Sequence, residues 1–160
     1  MLKTVTFSAL CATIIGGSFI SQVAATEVTY RDDIKPLWEQ HCSNCHGKSA
    51  PTLGRFKEDS DRYKALNRGP RMMGYAELTS YVVWPETGAL MRRLDDGSVS
   101  GNQGNMYEEL GDNEAERQAN LQLFKDWVGG ENAWYFNRWN ARGDVPGVTK
   151  EQINELKLLY

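Results

Sequence analysis

Cys42-Ser43-Asn44-Cys45-His46 constrains this 160-residue chain more than any other stretch. A C-x-x-C-H run is the attachment signature of a c-type haem. Two thiols at this spacing can form thioethers to both vinyl groups of one haem. The histidine directly after the second thiol then lies under the iron. Cys42 and Cys45 are the candidate attachment points and His46 the candidate proximal ligand. A redox dithiol and half a zinc site are the competing readings. A structural zinc site normally takes four Cys or His ligands. The chain holds three cysteines and two histidines, and one of those cysteines, Cys11, sits in a segment expected to be removed. A redox dithiol has no need of the following histidine.

Residues 1–25 read as a secretory signal. Lys3 supplies the positive start, Val5 to Ile20 is apolar and uncharged, and Val23-Ala24-Ala25 offers small residues for cleavage after Ala25. The apolar run is shorter than the roughly 20 residues a spanning helix needs, which disfavours a retained anchor. Secretion agrees with the haem motif, because c-type haem is attached outside the cytoplasm. The periplasm of a Gram-negative bacterium is the expected location. The whole chain carries a net charge of −3; losing Lys3 takes 18 basic residues to 17 against 21 acidic, or −4. Such a balance gives no footprint for nucleic acid. A hydrophobic fraction of 41% is enough for one soluble core.

Residues 29–46 read as an N-terminal helix that delivers the motif, with Tyr30, Ile34, Leu37 and Trp38 near helical spacing. Pro36 is tolerated only in a first turn, so regular helix is expected from Asp32 or Asp33, whose charges suit a helix start. A loop over 47–54 and a short helix over 58–68, with Tyr63 and Leu66 inward, come next; Gly69-Pro70 ends it. Ala76 to Val83 reads as a helix burying Leu78, Tyr81 and Val82. Arg71, Tyr75 and Trp84 are candidate donors to the haem propionates, with a solvated surface role the alternative for Arg71. His41, on the same side as His46, is a helical surface residue and a poor candidate for a sixth ligand. Asp112 or Asn113 can cap a last main helix, with Glu116 at capping-box spacing. Its stripe is Leu121, Phe124, Trp127 and Val128, and Gly129-Gly130 stops it. Residues 131–160 crowd Trp134, Tyr135, Phe136 and Trp139 together. Leaving them in water would cost about 25 cal/mol per Å², so this segment is expected to fold back on the haem domain, with a partner-docking surface as the alternative. Thr149 and Gln152 form a second capping box, and Ile153, Leu156 and Tyr160 would line one face of a final helix.

Haem iron takes Met, His, Cys or Tyr as axial ligands. With no spare His or Cys on the distal side, the candidates are Met72, Met73, Met91 and Met106. Met91 sits in an expected helix and suits core filling.

The stretch from Tyr30 through the haem motif, and Trp84 to Met106 with its Leu90-Met91-Arg92-Arg93-Leu94 run and Gly-rich loop, resembles the monohaem class I cytochromes c. The likeness covers roughly residues 30–130. It implies an all-α fold around one covalent haem c, with residues 26–130 as the cytochrome domain and 131–160 as a helical extension packed on it. It also implies that Ile34, Leu37 and Trp38 meet Leu121, Phe124 and Val128 where the two main helices cross. A proline carbonyl after the motif is expected to accept the free N–H of His46, with Pro51 the candidate, and Met106 is the implied distal ligand. The family often has proline after that methionine; here it is Tyr107. The extension also resembles periplasmic monohaem cytochromes that accompany multihaem iron-oxidising systems.

The function these features imply is a periplasmic one-electron carrier with His46/Met106 ligation, not an enzyme. Its expected partners are periplasmic redox proteins, such as a multihaem cytochrome or an oxidase, with membrane contact only through them. Two alternatives compete: a haem enzyme or ligand sensor with a displaceable sixth ligand, and a haem subunit of a larger redox complex.

Overall fold

The computed structural model describes residues 27–98, 101–135 and 149–160. The expected signal segment 1–25, together with Phe136 and Trp139, lies outside them. Among the described residues the architecture is all-α, with no strand, and no helix is long and apolar enough to cross a membrane.

The chain enters through a π-helical turn, Tyr30–Ile34, and continues as α1, Lys35–His41. Thr29 starts the turn: its hydroxyl accepts the Asp32 amide at 3.2 Å, and the Asp33 carboxylate accepts the Thr29 amide at 2.8 Å. Asp32 and Asp33 thus serve the cap, and regular α-helix begins at Lys35, slightly later than expected, with Pro36 in its first turn. There the missing N–H leaves no bond broken. The motif itself forms α2, Ser43–His46.

The next segment corrects the sequence reading. Instead of a loop and one helix it forms α3, Leu53–Glu58, and α4, Ser60–Ala65. The Thr52 hydroxyl caps the first, and the Asp59 carboxylate breaks the run by capping the second. Tyr63 stacks on Phe56 with ring centroids 6.3 Å apart. Leu66 is 59% exposed, not inward, because α4 ends one residue before it. Then come α5, Tyr75–Thr79, and α6, Ala89–Leu94, which bury Leu78 and Met91 respectively. Tyr81 and Val82, just past α5, are buried as expected.

The longest helix among the described residues is α7, Glu114–Val128. The Asn113 side chain accepts the Glu116 amide at 3.0 Å, while the Glu116 carboxylate reaches back to the Asp112 amide at 2.9 Å, one residue beyond the usual box. Leu121, Phe124, Trp127 and Val128 are buried in one core with Ile34, Leu37 and Trp38, and α7 packs on the entry turn.

The extension is part of the same core. Helix α8, Glu131–Tyr135, buries Trp134 completely, and its indole N–H donates to the buried Asp95 at 3.4 Å. Helix α9, Lys150–Asn154, has the Thr149–Gln152 capping box. It stops early, Ile153 is 46% exposed, and residues 157–160 leave the helix to run as a strap. Lys157 and Leu158 amides donate to Val128 and Trp127 carbonyls at 3.0 and 2.9 Å; Tyr30 and Arg31 amides donate to Leu159 and Tyr160 carbonyls at 2.8 and 3.1 Å. The Trp127 indole N–H donates to the Leu159 carbonyl at 2.9 Å, and the Tyr75 hydroxyl to the Leu158 carbonyl at 2.6 Å. Tyr160 stacks on Tyr30 and lies under the Arg31 guanidinium. A continued helix would satisfy only itself; the strap satisfies donors on three other elements.

Deleting residues 157–160 should therefore destabilise the fold by about 3 kcal/mol or more, since each bond contributes about 0.5–1.5 kcal/mol net. The thermal midpoint of the haem-loaded protein is expected to fall by roughly 10 °C. A fall under about 2 °C would show that the strap holds nothing.

Candidate haem site

α1 ends at His41 and the chain turns tightly, with Cys45 and His46 amides donating to the Cys42 carbonyl at 3.2 and 2.9 Å. This turn puts Cys42 at the N-cap of α2, with Cys45 and His46 in its only turn. Asn44, between the cysteines, is exposed, and the Arg68 guanidinium donates to its carbonyl.

A return segment, Gly69 to Met72, lies along the motif. The Gly69 amide donates to the Cys45 carbonyl at 3.1 Å and the Met72 amide to the His46 carbonyl at 3.1 Å. Between them, the Pro70 carbonyl sits 2.7 Å from His46 Nδ1. A carbonyl can only accept, so Nδ1 carries the proton and Nε2 keeps its lone pair. Pro51 does not take this bond. Its carbonyl accepts the Arg71 amide at 2.7 Å and so anchors the return segment instead. Spacing along the chain favoured the nearer proline; the fold brings back the farther one. Gly69 is required by this approach, since a Cβ there would lie 2.0 Å from His46 Cε1.

Burial holds the His46 pKa below its ordinary value, against the opposing pull of the Pro70 bond. The imidazole is thus kept neutral, the form that ligates a metal. Burial pushes the Cys42 thiol up to about 12, with Cys45 and Glu109 adding to the effect. A redox-active or metal-binding cysteine needs an accessible thiolate, so this thiol suits permanent capping better than dithiol exchange. Among the described residues, no group of three or more His, Cys, Asp or Glu is arranged to hold a metal ion. Trp38, one turn before Cys42, buries its indole N–H without a partner among the described residues. Two free thiols, a neutral oriented imidazole and an orphaned buried donor fit a group supplied from outside the polypeptide.

On the other side of the chain's path, the loop from Asp95 to Met106 is tied at its ends. The Gly104 amide donates to the Asp95 carbonyl at 2.7 Å, and the Met106 amide to the Arg93 carbonyl at 2.9 Å. Gly104 passes so close to Arg93 that a Cβ would lie 2.3 Å from its carbonyl oxygen. Met106 is half-buried against the core; Met91 is fully buried within α6, Met72 ends the return segment, and Met73 is exposed.

The three candidate propionate donors are not brought together. Arg71 pairs with Glu77 at 3.3 Å, the Tyr75 hydroxyl is bonded to the strap, and Trp84 is 78% exposed. His41 faces Glu116 at 3.8 Å. Trp38 is a buried, unpaired N–H that sequence reasoning did not single out: its helical position reads as core, and only the packing shows the N–H without a partner.

A family model described as PccH cytochrome c matches residues 29–160. The chain belongs to that family. It is also similar to the solved structure of the monohaem cytochrome PccH from Geobacter sulfurreducens, at 46% identity, covering 84% of this chain and 99% of that one, with a TM-score of 0.73. A comparison with curated proteins gives no match. The protein is thus a monohaem cytochrome c, with one c-type haem, electron transport as its business and the all-α fold expected of it.

Gly69→Ala should drive the His46 ring off the Pro70 carbonyl. The yield of haem-loaded protein, read as Soret absorbance against protein absorbance, is expected to drop several-fold. Unchanged yield and an unchanged Soret position would show that the ring does not depend on this approach.

Proposed function

We propose that this cytochrome is a periplasmic one-electron carrier, with Cys42 and Cys45 linked to the haem and His46 and Met106 as its axial ligands. The observation that carries the reading is the His46 bond to Pro70, which orients the imidazole and leaves Nε2 as the donor. The bound haem supplies the one-electron couple. The chain's part is to hold that group still. Pro70 fixes the imidazole, the core excludes water, and the tied ends of the 95–106 loop present the Met106 thioether from a half-buried position. With His46 and Met106 both ligating, no open position would remain for a substrate, and methionine ligation would raise the potential.

Met106 is favoured over the other methionines on placement. Met91 is enclosed in the core of α6, Met72 is bonded through its amide to the His46 carbonyl in the return segment, and Met73 follows it on the surface. The docking partner is a redox protein with a positive surface. Glu108, Glu109, Asp112, Glu114 and Glu116 follow one another with no basic residue between them, and Glu109 is near enough to Cys42 to raise its pKa. Electrostatic complementarity would steer such a partner to the attachment edge.

The ferric optical spectrum tests the ligand set. A low-spin spectrum with the weak red-end sulfur-to-iron band is expected in the wild type and should vanish in Met106→Leu. The potential should fall there by on the order of 0.1–0.2 V, within the roughly 0.8 V that axial ligands span. A high-spin wild type that binds cyanide at once would replace the carrier with an enzyme or sensor. A band surviving in Met106→Leu would move the ligand to another methionine.

A further inference from the structure

The residue after Met106 is built into the structure in a way that a proline could not be. Tyr107 is almost fully buried, yet its hydroxyl is hydrogen-bonded in both directions. It donates to Glu114 Oε1 at 2.6 Å and accepts from Gln118 Nε2 at 2.9 Å. The same Gln118 nitrogen lies 3.1 Å from Glu114 Oε1 and 3.1 Å from Asp96 Oδ2. Asp96 opens the distal loop and Tyr107 follows it, so one side chain on α7 bridges both ends. The Asn120 amide donates to the Leu110 carbonyl at 2.6 Å, and Arg117 Nε to the Gly111 carbonyl at 3.1 Å. The 3₁₀ turn Tyr107–Leu110 is therefore fastened to α7 along its length.

We propose that the Tyr107–Gln118–Asp96 clasp, closed by Glu114, positions the Met106 thioether and sets how readily an external ligand displaces it. The inference rests on Met106 being the sixth ligand. Met106 has its own amide tied to Arg93, but its side chain depends on where the following residue is anchored. A proline at that place would restrict the backbone locally through its fixed φ. Tyr107 instead reaches across to a helix, so the restraint is tertiary. Removing the hydroxyl leaves the ring in its buried seat and takes away only the link. Methionine then remains the ligand but leaves the iron more often, and a small neutral ligand competes better.

The test uses the full haem-loaded chain, with imidazole as the probe. Wild type, Tyr107→Phe, Gln118→Leu, the double variant and the 157–160 deletion are titrated in the ferric state, following the red-end band and the rate of its loss. Tyr107→Phe should keep the band without imidazole and bind imidazole about tenfold more tightly, the factor carried by a hydrogen bond of ordinary net worth. The double variant should show little more than either single one, because the two residues act as a unit. The strap deletion should lower thermal stability and leave imidazole affinity near the wild-type value. Wild-type affinity in Tyr107→Phe would overturn the inference. So would an equal gain in affinity in the strap deletion, which would mean that loss of stability alone frees the ligand. If the wild-type band were missing or survived in Met106→Leu, the ligand assignment would fail first, and the clasp with it.

Discussion

The bond from His46 to the Pro70 carbonyl ties a five-residue motif to a segment 24 positions later, and much of the fold serves to make that approach possible. The motif alone determines only that two thiols and an imidazole lie within five residues of chain. It says nothing about which nitrogen faces outward or how the ring is turned. Those depend on the return segment, which reaches the motif through backbone bonds to Cys45 and His46 on either side of Pro70. Gly69 permits the approach by having no Cβ, and Pro51 anchors the segment from behind through the Arg71 amide. The helices α3 and α4 fill the excursion between motif and return.

The extension beyond residue 130 is tied to the same problem from the opposite end. Trp134 is buried and bonded to Asp95, where the distal loop begins. The strap at 157–160 closes over Tyr30, Tyr75 and Trp127, which touch one another as a cluster of rings. A small domain built around a large planar group has little polypeptide core of its own. Here the added aromatic segment enlarges that core, and the crossing of the entry turn and α7 is completed by the strap.

Legibility followed the range of each interaction. The motif, the α7 stripe, its Asn113 cap, buried Met91 and the Thr149 box depend on residues within a turn or two, and all were readable. Regular helix starting at Lys35 was nearly readable: the Asp pair was seen, but its use in a cap on Thr29 needed coordinates. Pro51 and Pro70 illustrate the opposite case. Both precede or follow a turn, both offer a carbonyl, and only a 24-residue loop closure chooses between them. Leu66, Ile153 and Tyr160 were misplaced for a related reason. Helical periodicity assumes that the helix continues, whereas α4 and α9 stop short, and the residues after them obey tertiary bonds. Tyr75 reads as a donor in search of an anion; its partner, the Leu158 carbonyl, lies 83 residues away.

The distal loop shows how a departure from a family pattern becomes intelligible once its surroundings are known. Tyr107 in place of a proline looks, from spacing alone, like a weakened restraint on the ligand loop. A proline limits two backbone angles and needs no partner. A buried tyrosine limits nothing by itself, and its hydroxyl would be costly to bury unpaired. Its presence therefore obliges α7 to carry acceptor and donor at matching positions, and Glu114 and Gln118 stand one helical turn apart to do so. The restraint has moved from the backbone of the loop to the face of the helix. With that move, the hold proposed for Met106 becomes coupled to the packing of α7 rather than to the backbone of its own loop.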